Sequence, residues 1–165
     1  MKIISVIGCG TMGNGIAQTF ALFDFNVKLY DISLNNLDNA KKTILKNLER
    51  MVNKEFINHS DLQKTCNNIT YTNDVNSVLN SDLVIEAVTE NLEIKESIFK
   101  ELDAKCPEKT IIASNTSSIS ITKLANVTKR KDKVIGMHFM NPVPIMKLVE
   151  VINSCLLYTS PSPRD

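Results

Sequence analysis

The sequence predicts an α/β fold, a doubly wound and mostly parallel sheet with helices on both faces. Three observations carry this reading. Short β-branched runs recur along the 165-residue chain and alternate with helical patterns, and parallel strands need crossover connections that are usually helices. Four of the five glycines, Gly8, Gly10, Gly13 and Gly15, crowd into eight residues directly after the first run. An acidic residue, Asp31, closes the second run 18 residues beyond Gly13.

The elements follow in order. Lys2–Ile7 is a short β-branched run ending at the glycines, which suits a buried parallel strand. Gly13–Phe23 reads as a helix with Ile16, Ala17, Phe20 and Ala21 on one face, and Asn26–Asp31 as a second strand. Ser33 suits the N-cap of a long helix carrying Leu34, Leu37, Ile44, Leu45, Leu48 and Val52. A shorter helix follows Ser60. Strand-like runs recur at Ile69–Thr72, Leu83–Val88, Thr110–Ala113 and Lys133–Phe139, and helical patterns at Val75–Leu79, Leu92–Leu102 and Ile119–Ala125 separate most of them. Residues 1–153 form one expected domain. From Ser154 to Asp165 the chain holds Pro161 and Pro163 and no periodic apolar pattern, so this stretch is expected to be a disordered or non-native end.

Composition removes several function classes. The 19 Lys+Arg and 18 Asp+Glu leave a net charge of +1, against a strongly basic nucleic-acid binder and against an acidic disordered chain. No apolar run approaches the ~20 residues that cross a bilayer, and the first apolar stretch is shorter than the h-region of a signal peptide. The four cysteines, Cys9, Cys66, Cys106 and Cys155, show no metal-ligand spacing. The expectation is a cytoplasmic protein with reduced thiols, no metal, and neither a membrane nor a nucleic acid as partner.

Gly8-Cys9-Gly10-Thr11-Met12-Gly13 matches G-x-G-x-x-G, between a predicted strand and a predicted helix. In this Rossmann-type arrangement Gly8 permits the tight turn, Gly10 lets backbone approach a diphosphate, and Gly13 lets the helix pack on the strand. The free N–H groups at the helix start then face the phosphates. Asp31 would accept hydrogen bonds from the adenosine ribose and repel a 2′-phosphate, which favours NAD over NADP. The plainer alternative is a glycine-rich turn with no ligand.

Three further polar clusters fall at predicted strand ends, where open α/β sheets bind ligands. His138 ends the last strong strand, and Glu150, 12 residues on, could orient an imidazole base. Taken singly, each could be merely structural or solvated. Ser114-Asn115-Thr116-Ser117-Ser118 could cap a helix or bind a reacting oxygen. Glu86-Ala87-Val88-Thr89-Glu90, with Lys95, ends a fourth strand on the same edge.

Together with His138-Phe139-Met140-Asn141-Pro142 and Val149-Glu150-Val151-Ile152, these motifs resemble the NAD-binding domain of 3-hydroxyacyl-CoA dehydrogenases, nearest to the bacterial enzymes acting on 3-hydroxybutyryl-CoA. The resemblance covers about residues 1–153. It implies reversible oxidation of an (S)-3-hydroxyacyl-CoA to the 3-ketoacyl-CoA, with NAD as cofactor. By the resemblance His138 is the general base and Glu150 its partner, while Ser117 and Asn141 contact the reacting oxygen or the nicotinamide. The turn Gly8–Gly13, Asp31, Glu90, Lys95 and Asn115 line the cofactor.

Lys42, Lys46, Arg50 and Lys54 form a basic stripe on the long helix. It is either an ordinary solvated face or, at Arg50 and Lys54, a dock for coenzyme A phosphates. The resemblance further implies a helical C-terminal domain that completes the cleft and forms a homo-oligomer interface. The expectation is therefore a truncated product that keeps the cofactor fold, exposes apolar surface and lacks full activity. Two alternatives stay open: a non-catalytic dinucleotide-binding module, and a dehydrogenase of a hydroxy acid without coenzyme A.

Overall fold

The computed structural model describes residues 2–154; the expectation for the end of the chain lies, from Cys155 on, outside the described residues. Seven strands form one sheet in the order β3-β2-β1-β4-β5-β6-β7. They are β1 (Ile3–Ile7), β2 (Asn26–Tyr30), β3 (Ile69–Thr72), β4 (Leu83–Glu86), β5 (Ile111–Ser114), β6 (Val134–Phe139) and β7 (Val149–Asn153). The first six are parallel and β7 returns antiparallel to β6. The strand order reverses between β1 and β4, which opens a crevice at their carboxyl ends.

Alternation along each strand divides the core into two layers. Ile4, Val6, Leu83, Ile85 and Ala113 face one way, against α1 (Thr11–Leu22) and α2 (Leu34–Asn53), with Ile16, Ala17, Ile44 and Leu48. Ile7, Val84 and Ile112 face the other, against Phe99 and Leu102 of α5 (Leu92–Lys105) and Leu124 of α6 (Ile121–Asn126). Two short helices complete the chain's connections, α3 (His59–Asn67) and α4 (Val75–Leu79).

The element order matches the sequence reading, and the shifts in boundary have local causes. Ser33 caps α2 as expected, its hydroxyl accepting the Asn36 N–H at 3.3 Å. α3 starts a residue before Ser60 because Asn58 and Asp61 form a reciprocal capping box. β4 stops at Glu86 because the Val88 N–H turns back to the Glu86 carboxylate at 2.7 Å. α6 begins at Ile121, since the Ile119 N–H is held by Thr116 Oγ1 at 2.9 Å. The strand β7 is the element the sequence reading did not assign. All five of its residues are exposed, so it has no buried face to generate a periodic signal. With Ile145, Met146 and Leu148 it forms the exposed apolar surface that was expected.

Among the described residues no helix is long and apolar enough to cross a membrane, and no group of side chains could hold a metal ion. Cys9, Cys66 and Cys106 are free thiols.

Candidate functional site

The glycine turn sits where the crevice opens. Gly8 has φ +95°, a conformation that strains residues with a Cβ. A Cβ there would also lie 2.8 Å from the Ala87 carbonyl oxygen. Gly13 allows the closest approach of any of the glycines: a Cβ would fall 1.8 Å from the Gly8 carbonyl oxygen, so only glycine lets α1 start directly against the turn. Gly10 differs from both. A Cβ on it would meet nothing within 4 Å, so its bare backbone faces open space. Gly10 is also the N-cap of α1, and no side chain caps that end. Uncapped N–H groups at a helix start, facing open space, suit the diphosphate of a dinucleotide.

Asp31 follows the end of β2 beside this turn. Its carboxylate accepts the Cys9 N–H at 3.1 Å, the Cys9 thiol at 3.2 Å, the Ser33 N–H at 3.0 Å and the Asn36 amide at 3.4 Å. Burial by itself would raise its pKa; the hydrogen bonds from Ser33 and Cys9 outweigh that and hold it below the ordinary value. The same geometry acts oppositely on Cys9. Burial first, then its contact with Asp31, pushes the thiol up to about 12. Cys9 is therefore a hydrogen-bond donor that fixes Asp31, and is far from being a thiolate at neutral pH.

Across the crevice, β4 and β5 end side by side with Glu86 in register with Ser114. Glu86 is fully buried, and its carboxylate accepts Ser114 Oγ at 2.6 Å as well as the Val88 N–H. Lys95 of α5 reaches Glu86 Oε1 at 2.6 Å and Glu90 Oε2 at 3.4 Å. Glu90 accepts hydrogen bonds from Thr116 Oγ1, from the Ser118 hydroxyl at 2.8 Å and from the Ser118 N–H at 3.2 Å. Burial opposes its ionisation, yet these bonds and Lys95 lower its pKa to about 2. Glu90, Lys95, Asn115 and Ser117 line a cavity of about 190 Å³ together with Met12 of the turn. Asn115 also braces the rim, its Oδ1 accepting the Phe139 N–H at 3.0 Å.

The outer rim is built by β6 and β7. His138 and Glu150 are cross-strand neighbours, and His138 Nδ1 lies 2.9 Å from Glu150 Oε2. With Nδ1–H donated to the carboxylate, Nε2 is the acceptor nitrogen. Just beyond β6, Asn141 and the Pro142–Pro144 loop fold back over α1, where Val143 packs on Gly15. This loop, the Cys9–Thr11 turn, α1 and α2 enclose a cleft of about 410 Å³. Asn14, Asn39, Thr43, Asn47 and Asn141 contribute amides and hydroxyls to its wall, and no charged residue lines it. Arg50 and Lys54 continue the Thr43–Asn47 stripe of α2 at helical spacing, whereas Lys42 and Lys46 fall on its flank.

The chain matches the family described as "3-hydroxyacyl-CoA dehydrogenase, NAD binding domain" over residues 3–161. It belongs to that family. It is 46% identical to a probable 3-hydroxybutyryl-CoA dehydrogenase of Bacillus subtilis over 152 residues, 92% of this chain and 53% of the relative. A 3-hydroxybutyryl-CoA dehydrogenase of Clostridioides difficile is also 46% identical, over 93% of this chain and 54% of the relative. The crystal structure of an (S)-3-hydroxybutyryl-CoA dehydrogenase from Ralstonia eutropha superimposes with a TM-score of 0.91 at 44% identity, covering 94% of this chain and 55% of that one. The chain thus spans about half the length of the curated relatives it matches.

As a member of the NAD-binding domain family, the chain brings most of the expected site residues to one sheet edge. Gly8–Gly13 and Asp31 stand on one side of the crevice, and Glu90, Lys95, Asn115 and Ser117 on the other. His138 and Glu150 pair on the far rim, while Asn141 lines one cleft with Cys9, Gly10 and Thr11. Arg50 and Lys54 lie apart, down α2. The sequence reading named Glu86 without a role, and Ser114 only within a cluster read as a helix cap or a ligand of the reacting oxygen. Only part of a signal was present: a carboxylate ending an otherwise apolar strand needs a buried partner, but the sequence does not say which.

Proposed function

We propose that this chain is the cofactor-binding part of an NAD-dependent enzyme interconverting (S)-3-hydroxyacyl-CoA, in the 3-hydroxybutyryl size range, and 3-ketoacyl-CoA. The observation that carries the reading is the His138–Glu150 pair, 2.9 Å apart on the rim of a crevice fitted for a dinucleotide. A module that only binds a dinucleotide has no need of a proton acceptor there.

The residues fit the cofactor on three counts. Gly10 leaves bare backbone facing open space, the start of α1 is uncapped, and Asp31 is held as an anion at the end of β2. NAD, when bound, supplies the hydride acceptor. His138 Nε2 takes the proton of the substrate hydroxyl in the oxidative direction and returns it in the reductive one. Glu150 holds the ring orientation and stabilises the imidazolium. Ser117 and Asn141 donate hydrogen bonds to the reacting oxygen and fix the nicotinamide side of the site. Glu90, Lys95 and Asn115 form the cofactor wall. The uncharged cleft runs from the Cys9–Thr11 turn, where the dinucleotide's diphosphate would sit, past Asn141, and its outer wall of Asn39, Thr43 and Asn47 suits the amide-rich arm of a coenzyme A thioester with its phosphates toward Arg50 and Lys54.

NADH oxidation with acetoacetyl-CoA tests this, on the chain as it stands and on a form extended by the remaining half seen in relatives. The extended form turns over the thioester and ignores free acetoacetate, the chain alone is weak, and the extended form assembles as a homo-oligomer. His138→Gln lowers kcat by 10²- to 10⁴-fold, the usual worth of a positioned base. Equal turnover of acetoacetate, or an unchanged kcat in His138→Gln, would refute the reading.

A further inference from the structure

Buried polar side chains are nearly always hydrogen-bonded, because an unpaired one gives up water and gains nothing in return. Among the described residues one buried side-chain atom breaks this rule, Asn14 Oδ1. Asn14 lies on α1, one turn in from Gly10; it is 6% exposed and lines the cleft between α1 and α2. Its Nδ2 donates to the Ala40 carbonyl of α2 at 3.2 Å. That bond fixes which way the amide points, since the reverse orientation would set two acceptor oxygens against each other. The atom left over is therefore an acceptor. Its neighbours on the wall have the same polarity. Thr43 Oγ1 gives its one hydrogen to the Asn39 carbonyl at 2.9 Å. Asn47 Nδ2 donates to Oε1 of the fully buried Gln18 at 3.3 Å. Gln18 is oriented in turn by Met51, whose Sδ, a thioether with no hydrogen to offer, faces Gln18 Nε2 at 3.6 Å. With these nitrogens and the hydroxyl hydrogen committed to the protein, the wall is left with oxygens to offer. A ligand that fits it brings hydrogens.

We propose that Asn14 Oδ1 accepts an amide N–H of the thioester's pantetheine arm, so that the cleft selects its ligand by hydrogen-bond donors rather than by charge. This deepens the acyl-CoA reading given above and rests on it. The arm is neutral and carries two secondary amides, which matches a wall without charged residues. Asn14 Oδ1 lies just below the cleft surface. The last torsion of an asparagine is soft and the 3.2 Å bond to Ala40 is at the long end of its range. A small turn of the amide therefore presents Oδ1 while Nδ2 keeps its carbonyl. A dinucleotide also brings donors, its ribose hydroxyls, but Asn14 turns its amide toward Ala40 of α2, the helix that carries Thr43 and Asn47, and not toward the glycine turn.

The test is equilibrium titration of this chain, wild type and Asn14→Ala, with acetoacetyl-CoA and with two analogues in which one or the other amide of the arm is an ester. The exchange removes an N–H and little else. Circular dichroism and melting verify folding. The wild type binds the amide about five- to tenfold more tightly than the ester at one of the two positions, the size of one hydrogen bond to an acceptor with no other partner. Asn14→Ala abolishes that preference and leaves the dissociation constant for NADH within about twofold. Equal binding of the amide and both esters by the folded wild type would overturn the proposal, and that result needs no variant. So would a preference that survives in Asn14→Ala, or a loss of the same factor for amide and ester, the mark of a structural bond to Ala40. Weakened NADH with an intact amide preference would give the oxygen to the dinucleotide and equally overturn it. A folded wild type that binds NADH but no thioester would instead remove the acyl-CoA reading itself.

Discussion

The two rims of the crevice use the same elementary contact in opposite settings. At the β4–β5 rim, Lys95 meets Glu86 at 2.6 Å with side-chain exposures of 1% and 0%, and further hydrogen bonds satisfy both. At the β6–β7 rim, His138 meets Glu150 at 2.9 Å with exposures of 26% and 51%, on a strand exposed along its whole length. The first pair is locked by its surroundings, since neither charge can be lost or moved without stranding the other in a dry interior. The second remains in contact with solvent, which can hydrate either group. The difference separates two tasks. A wall that shapes a cofactor site benefits from groups that never change state, whereas a proton-transferring pair must change state in every cycle.

The largest effect expected from this contrast is on stability. Lys95→Met removes the positive partner and leaves Glu86 buried against Ser114 and Val88 alone. Breaking a buried pair by removing one partner typically costs ~3–5 kcal/mol. Urea unfolding should show a loss of that size for Lys95→Met. A loss below about 1 kcal/mol would mean that water reaches Glu86, and the two rims would no longer differ in kind.

A smaller effect sharpens the contrast through pH. Glu90 is lowered from 4.5 to about 2 against the opposing effect of burial, chiefly by the Thr116 and Ser118 hydrogen bonds and Lys95. A carboxyl depressed in the folded state contributes stability that is fully present above its unfolded value. Its contribution is lost as pH falls from about 4.5 toward 2. Unfolding midpoints measured between pH 6 and 2 should therefore fall more steeply for the wild type than for Glu90→Gln. Parallel acid limbs would show that Glu90 is not held as an anion by this rim.

The cofactor half was the more legible of the two in sequence, for a physical reason. Glycines that must turn a chain or admit a helix are few and local, so Gly8, Gly10 and Gly13 announce their geometry at fixed spacing. Buried strands such as Leu83–Glu86 likewise write their burial as an apolar run. The Glu86–Lys95–Ser114 network was not readable, because it depends on which strands lie side by side, and neighbouring carboxyl ends meet only in three dimensions. Strand β7 escaped for the opposite reason. With both faces exposed it carries no hydrophobic period, and only its pairing with β6 defines it. The His138–Glu150 pair was inferred from the strand-end position of His138, the spacing to Glu150 and the resemblance; its cross-strand register supplies the geometry.

The smallest effect tests the exposed rim directly. Glu150→Gln keeps the side-chain length and an oxygen able to accept from His138 Nδ1, and removes only the charge. Glu150 sits half-exposed on an edge strand, where double-mutant measurements put ion pairs at ~0–1 kcal/mol, and β7 has no buried face to lose. The expected change in unfolding free energy is therefore within about 0.5 kcal/mol, well below that of Lys95→Met. Its consequence belongs to chemistry instead. Without the carboxylate the imidazolium loses its stabilising partner, so kcat of the extended form should fall while the KM for NADH stays within about twofold. A stability loss comparable to that of Lys95→Met would place a structural ion pair on both rims, and the division between a fixed wall and a protonatable rim would not stand.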